Sequence, residues 1–219
     1  MERDGYWGKD DFVDYCRQNG VEVTEDQAYT LERYVRSLSA WNEKHNLVSR
    51  ADFQNMWRRH ILHSIACLMQ FSLPHQLRIL DIGSGGGFPA VPILIARPDL
   101  RGTLFEPITR KWAYLKEVLH ETGLRIRVRV VRRRVASRAE VGALGPFDYL
   151  TMRAVSRHEE LLAGAADGLR PGGRALLFVG AEGAAAIRDA LPLGLRLQAS
   201  LLLPGRSSSY LVVVEKPTS

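Results

Sequence analysis

The chain has 219 residues, 46% hydrophobic, 25% charged and 8% aromatic, with 30 Lys+Arg against 24 Asp+Glu for a formal charge of +6. That balance fits one folded domain, or one with an appendage, and excludes a disordered tail and a fibrous repeat. The longest apolar runs, such as 201–203 and 212–214, fall far short of the ~20 residues a bilayer needs, so no membrane span or membrane partner is expected.

Two cysteines, Cys16 and Cys67, cannot form a disulfide scaffold, and the opening MERDGYWGKDDF is charged from its second residue, unlike a signal peptide. A cytoplasmic protein is therefore expected. Residues 1–75 read as a helical N-terminal extension. Thr24 with Gln27 three places on forms a capping box, after which Ala28, Leu31, Val35, Leu38 and Trp41 recur at helical spacing. A second helix is expected over 53–71, with Trp57, Ile61, Ile65, Leu68 and Met69 on one stripe and Pro74 closing it.

Residues 76–219 read as a second unit in which strands and helices alternate. LRILDIG is a strand ending in glycines, 89–96 opens a helix, and RGTLFE is the next strand. A helix over 110–121 ends at Gly123, as a C-terminal cap would. RIRVRVV alternates charged and apolar residues like an edge strand, FDYLTMRAV follows, and a helix is expected over 158–169. Pro171-Gly172-Gly173 turns into RALLFVG, and two final strands around 195–203 and 210–216 suggest an antiparallel pair. The alternation predicts an α/β fold on a mainly parallel sheet with right-handed crossovers.

The sharpest motif is Leu80-Asp81-Ile82-Gly83-Ser84-Gly85-Gly86-Gly87-Phe88-Pro89. Glycines after a strand let the backbone turn tightly and approach a ligand closely, at the strand ends where open α/β sheets bind ligands. A dinucleotide fingerprint requires glycine at the sixth position; counting from Gly83, that position is Phe88, which disfavours an NAD(P)-dependent oxidoreductase. The D-I-G-x-G-x-G form suits S-adenosylmethionine, whose amino-acid moiety packs on the glycine backbone and whose ribose hydroxyls want a carboxylate at the end of the next strand. Glu106, 23 residues after Gly83, is the ribose candidate.

Over roughly 30–216 the chain resembles the bacterial small-subunit rRNA guanine-N7 methyltransferases, the glucose-inhibited division protein B family. The resemblance rests on Trp41-Asn42 with His45-Asn46-Leu47, on Arg59-His60-Ile61-Leu62 followed by Ser64, and on Gly83, Gly85 and Gly87 followed by Phe88-Pro89 and Pro92. Arg97-Pro98, Arg110-Lys111, Arg153-Ala154 and Tyr210-Leu211-Val212-Val213 also match. It implies a class I S-adenosylmethionine-dependent methyltransferase fold, Rossmann-like and seven-stranded, with an N-terminal helical extension. It further implies methylation of N7 of a guanine in the 530 loop of 16S rRNA, on naked RNA or the small ribosomal subunit, with no obligate protein partner and a monomer expected. Carried over by position, the cofactor contacts are Gly83, Gly85, Gly87, Phe88, Val135-Ala136 and Arg153, with Arg153 also the candidate for organising the catalytic site. Pro107, Ala136, His63 and Val179-Gly180 depart from the family pattern, which leaves as alternative a catalytically weakened RNA-binding or ribosome-assembly protein on the same fold.

Guanine N7 carries a free in-plane lone pair, so positioning rather than a general base is the main requirement. The RNA grip is expected from the stretch 97–138, where 12 basic and 4 acidic residues give +8. Arg125, Arg127 and Arg129 are expected on one face of the edge strand, followed by Arg132, Arg133 and Arg134, with Arg110 and Lys111 nearby. Trp112 beside them suits a cofactor or RNA contact as well as packing. His60, His63 and Cys67 share a helix face but lack a fourth ligand, so no metal is expected.

Overall fold

The computed structural model describes residues 7–49, 53–71, 73–155, 158–204 and 208–218. Two helices open it: α1 (Lys9–Gln18), which the sequence reading does not resolve as a separate helix, and α2 (Glu25–His45). The capping box forms as expected, with Gln27 N–H donating to Thr24 Oγ1 and Thr24 N–H to Gln27 Oε1. The helix expected over 53–71 contains a π-helical stretch (Trp57–Leu62) that runs into α3 (His63–Gln70). Such wide turns concentrate at functional sites, and this one holds the Arg59-His60-Ile61-Leu62 motif.

The sheet then builds as β1 (Arg78–Ile82), α4 (Ala90–Ala96), β2 (Arg101–Phe105), α5 (Thr109–Glu121), β3 (Val128–Val131), α6 (Arg138–Gly142) and β4 (Phe147–Arg153). It continues through α7 (His158–Gly168), β5 (Leu169–Gly180), α8 (Ala181–Asp189), β6 (Arg196–Leu202) and β7 (Ser209–Glu215). The seven strands lie in the order β3-β2-β1-β4-β5-β7-β6. The first five are mutually parallel, and β7 runs antiparallel between β5 and β6, so the final pair is as expected. No expected helix corresponds to α8, whose AEGAAAIRD has too few large apolar residues to show a period.

Period-2 alternation sends successive strand residues to opposite faces. Ile79, Leu104, Tyr149, Leu176 and Val213 face one core with the N-terminal helices, α4 and α5. Leu80, Phe105, Leu150, Leu177 and Val212 face the other, with Val141 of α6, Leu161 of α7 and Ile187 of α8. Among the described residues no helix is long and apolar enough to cross a membrane.

One expectation fails in a way that matters for the surface. The strand expected over 125–131 is only Val128–Val131; Leu124–Ile126 forms a 3-10 turn behind Gly123, which takes the left-handed cap at φ 72°. The cause is register: β2 supplies partners only from Gly102, opposite Val128, to Phe105, opposite Val131. Arg125, Arg127 and Arg129 therefore do not project from one strand face.

Candidate active site

In this strand order the chain reverses direction across the sheet between β1 and β4, which is where an open α/β sheet presents its ligand crevice. The glycine loop leaves β1 at that point. Gly83 N–H and Ser84 N–H donate to Phe105 O at 2.9 and 3.2 Å, hooking the loop over the end of β2. Gly83 and Gly87 have φ of 75° and 99°, and an added Cβ would lie 2.9 Å from Val155 Cγ2 and from Val91 Cγ2 respectively. Both positions thus require glycine for conformation and for space.

Glu106, at the end of β2, is brought to this loop as expected, yet it does more than wait for a ligand. Its Oε2 accepts from Gly85 N–H at 2.9 Å and its Oε1 from Ile108 N–H at 2.8 Å, and the residue is 3% exposed. The carboxylate braces the loop while each oxygen retains a lone pair. A second brace comes from outside the sheet. Tyr34 of α2 donates its hydroxyl to Gly86 O at 2.6 Å and packs edge-on against Phe88, ring centroids 5.5 Å apart. Sequence reasoning missed Tyr34, although it falls on the helical stripe with Leu31 and Leu38.

Asp81 is the other residue missed. It is 1% exposed in β1. Its Oδ1 accepts from Thr151 Oγ1 at 2.6 Å, and its Oδ2 is buried without a hydrogen-bond partner. Burial pushes its carboxyl up to about 7, with the nearby Glu106 charge adding to the rise against the hydrogen bond from Thr151. An acid at the end of a glycine-loop strand was legible; its unsatisfied oxygen was not.

Arg153 ends β4 beside the loop, its guanidinium carbon 5.7 Å from the Phe88 ring centroid, and His60 lies 4.8 Å from the same ring. Arg153 Nη2 donates to Arg59 O at 3.1 Å. The Arg59-His60 motif, Phe88 and Arg153 therefore converge on one point. Ala154, the next residue, holds φ 53°, a left-handed conformation that a non-glycine residue adopts at a cost. Here a cleft of about 470 Å³ opens at the carboxyl ends of β4 and β5, lined by His63, Arg153, Val155, Phe178 and Val179 among others. His63 Nε2 donates to Pro204 O at 2.7 Å across it.

The remaining candidates are distributed less simply. Val135 is buried. Ala136, one of the expected cofactor contacts, has its N–H engaged within the fold: it donates to Glu140 Oε2 at 3.0 Å, because Glu140 lies one helical turn on behind the Ser137 cap. That N–H bond and Arg133 hold the Glu140 carboxyl below its usual range. Arg127 is half-buried and turned inward: its guanidinium donates to the carbonyl oxygens of Leu94, Leu100 (2.7 Å) and Arg97 (3.4 Å), and burial lowers its pKa. Arg133 pairs with Glu140 at 3.2 Å. Arg129 Nε donates to Thr103 Oγ1, Arg132 to Thr109 Oγ1, and Arg125 contacts His120 Nδ1. Arg110 and Arg134 are exposed, and Lys111 is half-buried in the first turn of α5.

Residues 27–191 match the family model described as rRNA small subunit methyltransferase G. The chain is 37% identical over 158 residues to ribosomal RNA small subunit methyltransferase G of Mycolicibacterium smegmatis, covering 72% of this chain and 66% of that protein. It is 31% identical over 214 residues to the protein of the same name from Streptococcus sanguinis, covering 94% and 90%. Among solved structures, a chain of a fibrillarin/Nop5p complex superposes with a TM-score of 0.59 at 14% identity, covering 72% of this chain and 81% of that one. The precorrin-6y C5,15-methyltransferase of Geobacter metallireducens superposes with a TM-score of 0.54 at 13% identity, covering 78% and 92%. These two likenesses bear on the fold alone, which is that of class I methyltransferases.

Proposed function

The chain belongs to the rRNA small subunit methyltransferase G family, and from that membership we propose that it transfers a methyl group from S-adenosylmethionine to N7 of a guanine in the 530 loop of 16S rRNA, in the cytoplasm. The observation that carries the reading is the convergence at the switch point of the sheet: a glycine loop braced by Glu106 and Tyr34 lies against the Arg153 cleft, with Val155 of the cleft packed on Gly83 and Arg153 beside the Phe88 ring.

The residues fit a cationic, ribose-bearing cofactor. Asp81 presents a buried oxygen without a partner, and Glu106 retains acceptor capacity beside the glycine loop. When bound, the cofactor supplies an electrophilic methyl group on a sulfonium. Gly83, Gly85, Gly87 and Phe88 would shape its seat, Glu106 would take the ribose hydroxyls, and Val135-Ala136 with Glu140 would flank the adenine. Guanine N7 needs no deprotonation, so the chain's task is to hold the base in line and dry, a contribution of up to ~7–11 kcal/mol in well-oriented systems. Arg153, fixed by Arg59 O and the Phe88 ring, would donate toward the guanine O6 edge from the wall of the cleft. Arg110, Lys111, Arg132 and Arg134 would meet phosphates, whereas Arg127 serves the fold.

The test is calorimetric titration with S-adenosylmethionine, followed by transfer of tritiated methyl to small ribosomal subunits and mapping of N7-methylguanine. The expected result is saturable cofactor binding and label at one guanine. Cofactor binding without label on any RNA would favour the RNA-binding or assembly alternative, and absence of cofactor binding would overturn the reading.

A further inference from the structure

Part of the +8 of residues 97–138 collects at a place distinct from the cleft. Between α5 and the free edge of β3 runs a groove of about 360 Å³. Leu119, Val128 and Val130 lie along it, and its walls carry Lys116, His120, Arg125 and Arg129. Trp112 stands at one side with two cations on its ring, Lys116 Nζ at 4.7 Å and the Arg132 guanidinium carbon at 5.8 Å from its centroid.

What marks this groove is how its charges are left. Several arginines elsewhere on the surface are neutralised by carboxylates: Arg97 by Asp99, Arg138 by Asp167, Arg170 by Asp148 and Arg174 by Glu215. Among the described residues, Lys116, Arg125, Arg129 and Arg132 have no carboxylate partner. Their contacts are a ring, an imidazole and two hydroxyls, none of which cancels the charge. Unneutralised cations beside an aromatic face are what a single-stranded polynucleotide requires: phosphates take the cations, and a base stacks on the ring whatever its identity.

We propose that the α5–β3 groove is an accessory RNA-docking site that holds a single-stranded segment flanking the methylated guanine, with Trp112 as the stacking platform and Lys116, Arg125 and Arg129 as phosphate contacts. This rests on the rRNA methyltransferase reading and adds where the substrate is gripped. Arg132 reaches Thr109 at the carboxyl end of β3, so the groove leads to the same edge of the sheet as the glycine loop. From β3 to β4 is three strand spacings, about 14 Å, a span that a few nucleotides bridge on the way to the Arg153 cleft.

The experiment measures the binding of a single-stranded oligouridylate and of small ribosomal subunits, with their salt dependence, for the wild-type chain, Trp112→Ala, Trp112→Phe and the triple variant Lys116→Gln/Arg125→Gln/Arg129→Gln. S-Adenosylmethionine affinity serves as the check on folding. Trp112→Ala is expected to weaken oligonucleotide binding roughly 5- to 150-fold, while Trp112→Phe restores most of it. RNA-induced quenching of the tryptophan signal should disappear in both variants. The triple variant should flatten the log–log salt slope by about 2, at ~0.7 per lost single-strand phosphate contact. If the wild-type chain methylates subunits and these variants bind RNA with unchanged affinity and slope, the groove is no docking site although the functional reading stands. If the wild-type chain neither binds nor methylates RNA, both fall.

Discussion

Asp81 offers the sharpest physical test, because its environment fixes both a sign and a size. An ionised carboxylate held away from water is costly, and here burial moves the group from 3.8 to about 7. Between those values the folded chain keeps a proton that the unfolded chain has released, so stability falls as pH rises from about 4 to 7 and is level above that. The whole step is worth about 4 kcal/mol, and the part lying between pH 5 and pH 8 about 2–3 kcal/mol. The replacement Asp81→Asn cannot ionise but keeps an oxygen for the Thr151 hydroxyl. Its amide nitrogen would occupy the position of the partnerless Oδ2 at a cost of about 1–3 kcal/mol.

The measurable quantity is the stability of the variant minus that of the wild type, from urea unfolding at pH 5, 6, 7 and 8. Asp99, Glu140 and Asp167, whose carboxyls are held below their usual range, make folding less favourable at low pH. They are common to both proteins and cancel in the difference. That difference should start at or below zero at pH 5 and climb by about 2–3 kcal/mol by pH 8, leaving the variant the equal or better of the two. A difference that does not change with pH, or that falls, would show that Asp81 ionises without penalty and would refute the burial argument. The same variant should bind S-adenosylmethionine more weakly if the free oxygen faces the cationic cofactor, so stability and binding should move in opposite directions.

Gly83→Val combines a left-handed backbone with a Cβ 2.9 Å from Val155 Cγ2, and titration calorimetry should find S-adenosylmethionine affinity reduced at least about tenfold, the strain alone costing ~1–3 kcal/mol. Arg127→Met leaves two or three buried carbonyls without a donor, so thermal unfolding should show a loss of about 2–4 kcal/mol, with the RNA salt slope unchanged because the group never faced RNA. Tyr34→Phe keeps the ring against Phe88 but frees Gly86 O; a loss of ~1–3 kcal/mol in stability and weaker cofactor binding are expected, read from unfolding and calorimetry.

Local signals were legible and long-range ones were not. The glycine loop, Glu106, the Thr24 cap and the Gly123 stop each depend on a few neighbouring residues, and the structure has them where the spacing says. The period-2 run RIRVRVV is also a local signal, yet it misleads: whether a residue joins a strand depends on a partner, and β2 ends its pairing at Gly102. Arg127 turns inward because unpaired carbonyls at the end of α4 and in the turn after it need donors, a demand created only when the elements pack. Asp81 and Tyr34 were visible as residue types, but their roles come from what lies across from them in space, Thr151 70 residues away and Gly86 52 residues away.

That long-range dependence bears on what the N-terminal helices are for. Phe12, Leu31, Leu38, Ile61 and Ile65 belong to the same buried cluster as Ile79, Leu104 and Val213 of the sheet, so these helices are docked through apolar burial, the strongest favourable term available. The contacts at the top of that interface are polar and specific: Tyr34 to Gly86, Arg59 O to Arg153, His63 to Pro204. Core packing would hold helices against a sheet anywhere along their length. These three contacts instead reach the glycine loop, the end of β4 and the segment after β6, the three walls of the proposed site. The helical extension therefore sets the shape of the crevice: helix docking and loop geometry are one equilibrium, and whatever loosens the first must widen the second.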